Sequence, residues 1–492
     1  MNSLELQNNQ MFNRDSINFF KKDEFFNSVS DFMKNGHRII ALTPIDIHET
    51  SKIVAVFSDS NSAMINIIGC DFSKSNLEFK SWANDFPQTN YYECELLENY
   101  GYVPLNHPWL RPVRKQNVIL GNHKYNLFKL DGEEVHEVAV GPIHAGVIEP
   151  GHFRFQCHGE LVYNLEINLG YQHRDVEKLF LNAESNQRII LSESIAGDTT
   201  IGHTFAHCNA IESLAQTQIS LRADIIRTCA AEIERIAMHL SGLGGIANDV
   251  GFALPASSYG RLRTLAINSL AEISGSRFGR GLFIYGGVRF NFDDDKLKTV
   301  INNLKTVQND VRQINDYLFS STGALSRFEE TGIITKELAH SIGMVGLAAR
   351  ASGLEEDIRI HFPYSAYRYN PISMITLSSG DVYARARLRA LEIEESLKFI
   401  FDQIENLPQD EIKTAFGNIS ANSGVISIVE GWRGEIVHIA FTDENRNLVQ
   451  YKIKDPSFNN WYGLSLALRE TAISDFPLCN KSFDLSYAGH DL

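Results

Sequence analysis

The spacing of apolar residues divides the chain into a strand-rich start, a long helical middle and a strand-rich end. Residues 1–35 are polar and rich in phenylalanine, and we expect one or two helices there. A further helix is predicted at 89–101, where it ends at a glycine, and the proline-punctuated stretch 102–112 is predicted to lack regular structure. Three β-branched runs separated by turn residues predict strands at 38–49, 51–59 and 63–72.

Residues 153–171 alternate between apolar and polar side chains, which predicts a β-hairpin that turns at His158 and Gly159. From Asp175 the apolar residues recur every three or four positions, and this period predicts helices. Alternation returns at 422–455, where we expect strands. The predicted helices cover 175–183, 203–216, 221–250, 258–275, 294–319, 334–349 and 381–406.

These elements predict an α+β fold, in which a small N-terminal α+β domain precedes a large, mainly α-helical bundle domain with small flanking β-sheets. A chain of 492 residues is long enough for two or three domains. We place the first domain at 1–115 and the second at 138–492. The stretch 116–137 between them is polar and irregular in pattern, and we interpret it as a linker.

The charge of the chain argues against one class of partner. The sequence has 45 lysines and arginines against 60 aspartates and glutamates, a formal net charge of −15, so no nucleic-acid partner is expected. No apolar run reaches the roughly eighteen residues that a membrane-spanning helix needs. The N-terminus also lacks the basic-then-apolar pattern of a signal peptide. We therefore expect a cytoplasmic protein that could lie peripherally on a membrane complex.

The cysteines and glycines carry no familiar cofactor motif. None of the six cysteines is arranged as C-x-x-C, and in a cytosolic chain of this size they are expected to be small buried residues. They are Cys70, Cys94, Cys157, Cys208, Cys229 and Cys479. The stretch 242–247, GLGGIA, nearly fits a dinucleotide-binding fingerprint, but it follows a helix rather than a strand, which favours close helix packing or a helix end.

Several charged residues lie on the predicted helices. His203 and His207 would share one helical face as a pair that a metal could use, although two ligands do not complete a site and such pairs are more often solvent-facing or capping. Glu232 and Arg235 are spaced to pair, as are Arg235 and His239. Structural pairing and a proton relay beside a cavity are both open for these residues. The same alternatives apply to Arg350, Asp357, Arg359 and Asp381.

Motifs spread along the chain carry a family resemblance. They lie at 141–144 (GPIH), 149–154 (EPGHFR), 170–179, 222–227, 232–235, 286–289, 350–353, 357–359 and 475–478, with a further one at 95–112. The second domain resembles the large subunit of membrane-bound nickel–iron hydrogenases of the formate-hydrogenlyase type, and its relative, the quinone-site subunit of respiratory complex I. The first domain resembles the small complex I peripheral-arm subunit, which is fused to the large subunit in formate-hydrogenlyase enzymes.

The resemblance has a consequence for metal binding. Members of this family bind nickel and iron through four thiolates, in an Arg-x-Cys-Gly-x-Cys motif and a C-terminal Asp-Pro-Cys-x-x-Cys motif, and soft thiolates suit these metals. The four former metal-ligand positions hold Ala196, Thr199, Ser486 and Gly489 in this chain. The resemblance therefore implies that the chain binds no nickel–iron cofactor, and we expect no hydrogenase activity.

Quinone binding is a second expectation that the resemblance raises. In the complex I relative, a tyrosine and a histidine hold the quinone headgroup. The tyrosine position falls on Gly197 in this chain, and the histidine has only two nearby candidates, His152 and His144. A quinone is therefore a candidate ligand whose usual hydrogen-bond donors are not evident.

The resemblance implies a peripheral subunit of a membrane-bound, complex I-like oxidoreductase or ion-translocating complex, on the cytoplasmic face of the membrane. The implied partners are a small subunit that carries an iron–sulfur cluster, and antiporter-like and other membrane subunits. Two alternatives are open. One is a quinone-binding subunit of an NADH–quinone oxidoreductase-like complex, and the other is a non-catalytic scaffold for the iron–sulfur subunit.

We expect the stretches 193–203 and 484–492 to meet in space and to form the walls of one cavity. Its predicted lining comprises Asp198, Thr199, Thr200, His203, Ser486 and His490, with Glu149 and His152 across the first hairpin. Histidine titrates near neutral pH, and a neighbouring carboxylate can shift it. The candidate catalytic residues, which would handle protons or a polar ligand, are therefore Glu149, His152, Asp198, His203 and His490. The alternative is a vestigial pocket in which these groups are only satisfied.

Overall fold

The computed structural model describes residues 3–49, 51–73, 76–115, 125, 127–143 and 149–492. One antiparallel sheet of the N-terminal part runs in the order β1-β6-β5-β4, and β3 pairs with β6 in parallel. The elements are β1 (Leu4–Leu6), β2 (Phe12–Asn13), β3 (Phe19–Phe20), α1 (Lys22–Lys34), β4 (Arg38–Pro44), β5 (Lys52–Asp59), β6 (Met64–Asp71), β7 (Glu78–Lys80), α2 (Asn90–Tyr100) and β8 (Val103–Leu105).

The remainder of the described chain is mainly helical. Its elements are β9 (Val135–Val140), β10 (His152–His158), β11 (Leu161–Asn168), α3 (Val176–Asn182), α4 (Ser185–Ser192), α5 (Thr200–Leu214), α6 (Leu221–Asp249), α7 (Ala253–Ser274), β12 (Phe283–Ile284), β13 (Gly287–Val288), α8 (Asp294–Phe319), α9 (Thr322–Phe328), α10 (Lys336–Ser341), α11 (Gly346–Ala351), α12 (Ile358–His361), α13 (Val382–Glu405), β14 (Ser423–Glu430), β15 (Glu435–Thr442), β16 (Leu448–Lys454), α14 (Pro456–Ala467), α15 (Phe476–Phe483) and α16 (Tyr487–Asp491). This mixture of helices and small separate sheets confirms the predicted α+β fold class.

The best-patterned predictions are confirmed. The hairpin of β10 and β11 turns between His158 and Leu161, and α6 runs without interruption for 29 residues. The glycines of the 242–247 stretch lie inside α6, where a Cβ on Gly242 would come within 3.1 Å of an Asp484 oxygen and 3.2 Å of Arg389 Cδ. The stretch therefore serves close packing of α6 rather than binding of a dinucleotide phosphate.

Two other expectations concern burial and membranes. All six cysteines are buried free thiols, as predicted. Among the helices of the described ranges, none is both long and apolar enough to span a membrane.

The N-terminal predictions are wrong where strands are short. Residues 1–35 form one helix, α1, but also β1, β2 and β3, and the stretch 102–112 contains β8. Each of these two- or three-residue strands pairs with a strand elsewhere: β1 and β3 with β6, β2 with β14, and β8 with β7. Such strands are defined by their partners, so their own sequences are too short to show an alternating pattern.

The helix predicted at 334–349 is two helices, α10 and α11. Gly343 lies between them and Gly346 begins α11, with φ of 67° and 65°, a backbone conformation that glycine adopts without steric cost. A Cβ on Gly346 would lie 2.1 Å from the Cα of Gly434, in the turn between β14 and β15. The chain breaks here so that its backbone can approach that turn.

The first and last parts of the chain share a sheet. Its strand order is β16-β15-β14-β2, so residues near position 12 extend a sheet formed mainly by residues 423–454. The predicted linker lies partly outside the described residues, and its last residues, from Val135, already belong to β9. The domain boundaries at 115 and 138 stay predictions.

Candidate functional site

The two stretches that the sequence predicts to meet do meet, and Arg433 joins them. This arginine lies in the tight turn between β14 and β15. Its Nη1 and Nη2 each donate to a different carboxylate oxygen of Asp198, both at 2.7 Å. Its Nε donates to the backbone carbonyl of Asp484, at the start of the C-terminal stretch. The guanidinium also lies 3.8 Å from the ring centroid of Trp432, whose indole N–H donates to the Asp198 carbonyl at 2.9 Å.

The ion pair lies at the boundary between core and solvent. The Arg433 side chain is 4% exposed and that of Asp198 is 36% exposed. Burial opposes the charge on Arg433, but Asp198, with Asp484 and Asp455, outweighs burial, so the pKa of the guanidinium is held above its usual value. A bidentate arginine–carboxylate pair is rigid as well as strong, and it fixes the loop before α5.

The start of α5 is held from a different helix. Thr199 occupies the N-cap position but its side chain makes no capping hydrogen bond. Instead Glu234 of α6 accepts from the backbone N–H groups of Ile201 at 2.7 Å and Gly202 at 3.1 Å. Burial raises the pKa of Glu234 to about 8, while these two hydrogen bonds oppose the rise. The carboxyl group thereby satisfies backbone donors that would otherwise be orphaned at the helix start.

The four positions at which the resemblance implies metal ligands are filled by ordinary packing and capping contacts. Thr199 Oγ1 accepts from Arg433 at 3.0 Å, and Ser486 caps α16 by accepting from the N–H of Gly489 at 2.8 Å. A Cβ on Gly489 would lie 2.6 Å from Asp455 Cγ, so even a methyl group does not fit there. Ala196 is buried. This donor set contains no thiol and does not suit nickel or iron.

His203 and His207 were expected to be solvent-facing or capping, and this expectation is wrong. Both side chains are fully buried. His203 lies between Asp455, at 3.0 Å from Nε2, and His438, at 3.2 Å from Nδ1. Within the described ranges, no group of three or more histidine, cysteine, aspartate or glutamate side chains is arranged to hold a metal ion. The two histidines are thus part of a hydrogen-bonded core.

The remaining candidate residues lie in different surroundings. Glu149 accepts from the N–H of Ala488 at 2.9 Å, and burial, together with the charge of Asp198, raises its pKa. His152 is half-buried at the start of β10, opposite Asn168.

His490 lies apart from the other candidates, on the side of the N-terminal part. Its Nδ1 lies 3.0 Å from an Asp491 oxygen, and its ring is stacked on Phe458 at 5.9 Å between centroids. Burial lowers its pKa, which Asp491 opposes. His144 lies outside the described residues.

The predicted single cavity is therefore replaced, in the described part of the chain, by a packed polar contact. The predicted lining residues other than Asp198, Glu149 and His152 are at most 3% exposed; they are Thr199, Thr200, His203, Ser486 and His490. Asp198, Glu149 and His152 are the members that are partly exposed, and Asp198 follows the exposed Gly197. The site is thus a pair of surface carboxylates backed by Arg433.

The charged residues of the long helices form a second, wholly buried network. The predicted pair of Glu232 and Arg235 is confirmed at 3.2 Å. A direct pair of Arg235 and His239 is wrong: Glu392 of α13 lies between them, 2.8 Å from His239 Nε2 and 3.7 Å from Arg235 Nη1. Because Glu392 comes from a distant helix, sequence spacing alone does not reveal it.

Salt bridges are confirmed for three of the four charged residues predicted at 350–381. Asp357 pairs with Arg359 at 2.6 Å and with Arg350 at 3.4 Å. Asp381 instead caps α13 by accepting from the N–H of Ala384 at 2.8 Å. These contacts favour the structural interpretation of the network.

Sequence reasoning missed the residues that organise the site. They are Arg433, Asp455, His438, Tyr451, Tyr285 and Glu392. Two signals were present: a lone arginine in the glycine-bounded turn 431–434, and a histidine inside the apolar strand β15. Buried polar groups need partners, so each of these positions indicated a contact with another part of the chain.

Comparisons with known proteins agree with the motif resemblance. The family described as "Respiratory-chain NADH dehydrogenase, 49 Kd subunit" matches residues 249–424. Hydrogenase-4 component G of Escherichia coli K12 is 26% identical over 84% of this chain and 76% of its own length. The membrane-bound hydrogenase subunit alpha of Pyrococcus furiosus is 28% identical over 71% of this chain and 85% of its own. The C/D subunit of the NADH-quinone oxidoreductase of Bacteroides thetaiotaomicron is 29% identical over 73% and 74%, respectively.

A solved structure shares the fold. It is a chain from the membrane-bound sulfane sulfur reductase, an archaeal respiratory membrane complex, with a TM-score of 0.69 and 22% identity. The match covers 74% of this chain and 100% of that chain. The sequence comparisons confirm the resemblance predicted from the motifs: the chain is similar both to membrane-bound hydrogenase subunits and to complex I subunits.

Proposed function

We propose that this chain is a peripheral subunit of a membrane-bound, complex I-like oxidoreductase or ion-translocating complex, related to energy-converting hydrogenases but without hydrogenase activity. The supporting observation combines the identity of the relatives with the residues found at the site. The relatives are subunits named as hydrogenases and as NADH-quinone oxidoreductases, whereas the former ligand positions are an alanine, a threonine, a serine and a glycine.

The chemistry of the donors supports the loss of the metal site. Nickel bound by this family needs thiolates, and a neutral hydroxyl or a methyl group does not replace them. The nearest cysteines in sequence, Cys208 and Cys479, are buried, and burial raises the pKa of Cys479 to about 11 and that of Cys208 further. Neutral buried thiols are poor ligands. We expect the iron–sulfur cluster of such a complex to be carried by a small partner subunit.

The residues that remain at the site suit proton handling more than electron transfer. Asp198 and Glu149 are partly exposed carboxylates beside a buried cation, Arg433. Burial, and to a smaller extent the charge of Asp198, raises the pKa of Glu149, which brings its titration closer to neutral pH. His203 lies behind them in the core. We assign this role to Asp198, Glu149 and His203, whereas His490 is stacked on Phe458 on the other side of the C-terminal stretch.

Two other functions have their own support. A quinone-binding role is favoured by the likeness to NADH-quinone oxidoreductase subunits, and it predicts turnover that saturates with added quinone. A scaffold role is favoured by the buried ion pairs, because these contacts also serve rigidity alone. It predicts that turnover does not depend on quinone. It also predicts that ion transport stays at the wild-type rate in Asp198→Asn, Glu149→Gln and His203→Ala complexes that assemble normally.

The proposed membership is tested by isolating the native assembly. A tagged copy of the chain is expressed in its own host, membranes are washed and solubilised in mild detergent, and proteins retained with the tag are identified by mass spectrometry. We expect a small iron–sulfur subunit and polytopic, antiporter-like subunits in fixed ratio to the chain. An untagged strain provides the control. Recovery of the chain alone, from the unsedimented fraction, would contradict the proposal.

A further inference from the structure

A continuous line of hydrogen-bonded side chains crosses the core between α5 and the strands β15 and β16. It begins at Asp455, whose oxygen lies 3.0 Å from His203 Nε2. His203 Nδ1 lies 3.2 Å from His438 Nε2, and His438 Nδ1 lies 2.8 Å from the hydroxyl of Tyr451. All four side chains are buried.

The line continues from Tyr451 toward the surface. The Tyr451 hydroxyl lies 2.6 Å from His207 Nδ1, and His207 Nε2 lies 2.8 Å from the hydroxyl of Tyr285. Tyr285 donates to the backbone carbonyl of Ser185 at 3.0 Å, and Ser185 is exposed at the start of α4. We call His438, Tyr451, His207 and Tyr285 the connecting line.

The carbonyl of Ser185 sets the direction of the outer hydrogen bonds, because a carbonyl can only accept. When Tyr285 donates to it, His207 must donate from Nε2 to the Tyr285 oxygen. His207 is neutral, since burial, with a smaller effect of the charge of Arg188, lowers its pKa to about 3. A neutral imidazole has one donor and one acceptor, so His207 accepts at Nδ1 from Tyr451.

With the outer hydrogen bonds in this direction, His203, at the inner end of the line, must carry a second ring proton. Tyr451 accepts from His438 Nδ1, and His438 accepts at Nε2 from His203, because burial and the neighbouring histidines keep the pKa of His438 well below its usual value. His203 also faces the Asp455 carboxylate, to which it donates from Nε2. Although burial alone would raise the pKa of Asp455, the hydrogen bond and charge of His203 hold it below the usual value. In this direction His203 carries two ring protons.

The opposite direction needs one proton fewer. His203 then donates only to Asp455, every hydrogen bond of the connecting line is reversed, and Tyr285 donates inward to His207 instead of outward to Ser185. The two directions therefore differ by a single proton at the inner end.

We propose that His203 and Asp455 form a proton-loading site, and that the connecting line carries its proton to and from the surface beside Ser185. During release, the Tyr285 hydroxyl breaks its hydrogen bond to the Ser185 carbonyl and gives its proton to a water molecule that enters from the adjoining surface, and each donor along the line passes one proton outward. His203 finally loses its Nδ1 proton. One proton leaves the protein, and only N–H and O–H bonds break and form. Loading is the reverse sequence.

The proton-loading site lies next to two of the former metal-ligand positions. Asp455 is the residue against which a Cβ on Gly489 would collide at 2.6 Å, and His203 lies one helical turn after Thr199. The stored proton is therefore held beside two of the former metal-ligand positions. This inference deepens the proton-handling role proposed above for His203, but it rests on contacts within this chain and not on membership of a complex.

The test uses the purified full-length chain, deuterated and labelled with ¹⁵N only at histidine rings. Ring nitrogen shifts distinguish doubly from singly protonated imidazoles, and saturation transfer from water measures ring-proton exchange. Tyr451→Phe and Tyr285→Phe each remove one hydroxyl of the connecting line and keep the ring. Tyr259→Phe is the matched control, since its buried hydroxyl donates to Asn315 at 2.8 Å, away from the line.

We expect two ring protons on His203 and one each on His207 and His438 at neutral pH. Exchange of the His203 ring protons should slow by about tenfold or more in both line variants, a rise in barrier of about 1.4 kcal/mol, and should be unchanged in Tyr259→Phe. A singly protonated His203 in the wild-type chain would overturn the loading site, even if a variant failed to fold. Wild-type exchange in both folded line variants would overturn the conducting role.

Discussion

Replacing Arg433 by methionine tests how the loop before α5 is joined to the C-terminal stretch. Methionine keeps much of the side-chain length and the contact with Trp432, but it removes the hydrogen bonds to Asp198, Thr199 and the Asp484 carbonyl. The Asp198 carboxylate, which is 36% exposed, can still be hydrated by water. The Asp484 carbonyl and the Thr199 hydroxyl instead lose the hydrogen bonds that they accept from Arg433. The variant therefore separates the ion pair from simple packing.

The magnitude follows from burial and hydrogen bonding. Removing one partner of a buried ion pair typically costs about 3–5 kcal/mol, and the exposure of Asp198 places this site at the lower end. We expect Arg433→Met to reduce the free energy of unfolding by about 3 kcal/mol. Asp198→Asn keeps an acceptor oxygen and should cost about 1–2 kcal/mol.

The assay is a double-mutant cycle by chemical denaturation of the full-length chain, with Arg433→Met, Asp198→Asn and the double variant. The coupling free energy between the two side chains should be about 1–2 kcal/mol. Arg261 and Asp310 provide a matched control, because Asp310 is as exposed as Asp198, at 36%, while Arg261 is 56% exposed. Their coupling should stay below about 0.5 kcal/mol. Equal coupling in the two cycles would refute the argument that the buried guanidinium sets the strength of the contact.

Two further substitutions test the surroundings of the site. Gly489→Ala should lower the free energy of unfolding by about 2 kcal/mol, because its Cβ would lie 2.6 Å from Asp455 Cγ. Gly260→Ala in α7 is the control: it has open space at Cβ and should raise the free energy of unfolding by up to about 1 kcal/mol. Similar effects at the two positions would contradict this packing. Glu234 has a folded pKa of about 8 against an ordinary value of 4.5, so the native state binds more protons between these values and stability should fall as pH rises from about 4.5 to about 8. In Glu234→Gln this fall should be smaller, as measured by thermal unfolding across that pH range, and parallel pH profiles would show that Glu234 does not titrate there.

The sequence predicts those elements whose own pattern is long enough to carry a period. The hairpin at 152–168 and the helices α6, α8 and α13 show clear alternation or three- to four-residue spacing, and they form as predicted. The sequence does not predict strands β1, β2, β3 and β8, because two or three residues are too few to show a period. The break between α10 and α11 depends on the approach of Gly434, a contact more than eighty residues away in sequence.

The candidate site was likewise predicted only in part from the sequence. The resemblance brings the loop before α5 and the C-terminal stretch together, and the structure confirms that they meet. It does not supply Arg433 or Asp455, which come from a third part of the chain and fill the space between them. The histidine pair of α5 shows the limit most clearly. Its spacing fits a metal or a solvated face equally well, and only His438 and Tyr451, from β15 and β16, make it part of a buried line.

The nickel content of the native complex tests the central claim most directly. The claim is that the fold of a hydrogenase large subunit is kept here while its metal positions hold packing and capping residues. The complex is isolated through this chain from cells grown with nickel, and nickel is measured by elemental analysis relative to the amount of chain. We predict nickel far below one atom per chain, and, under the proposed function, iron that belongs to a partner subunit. Nickel close to one atom per chain would contradict the account.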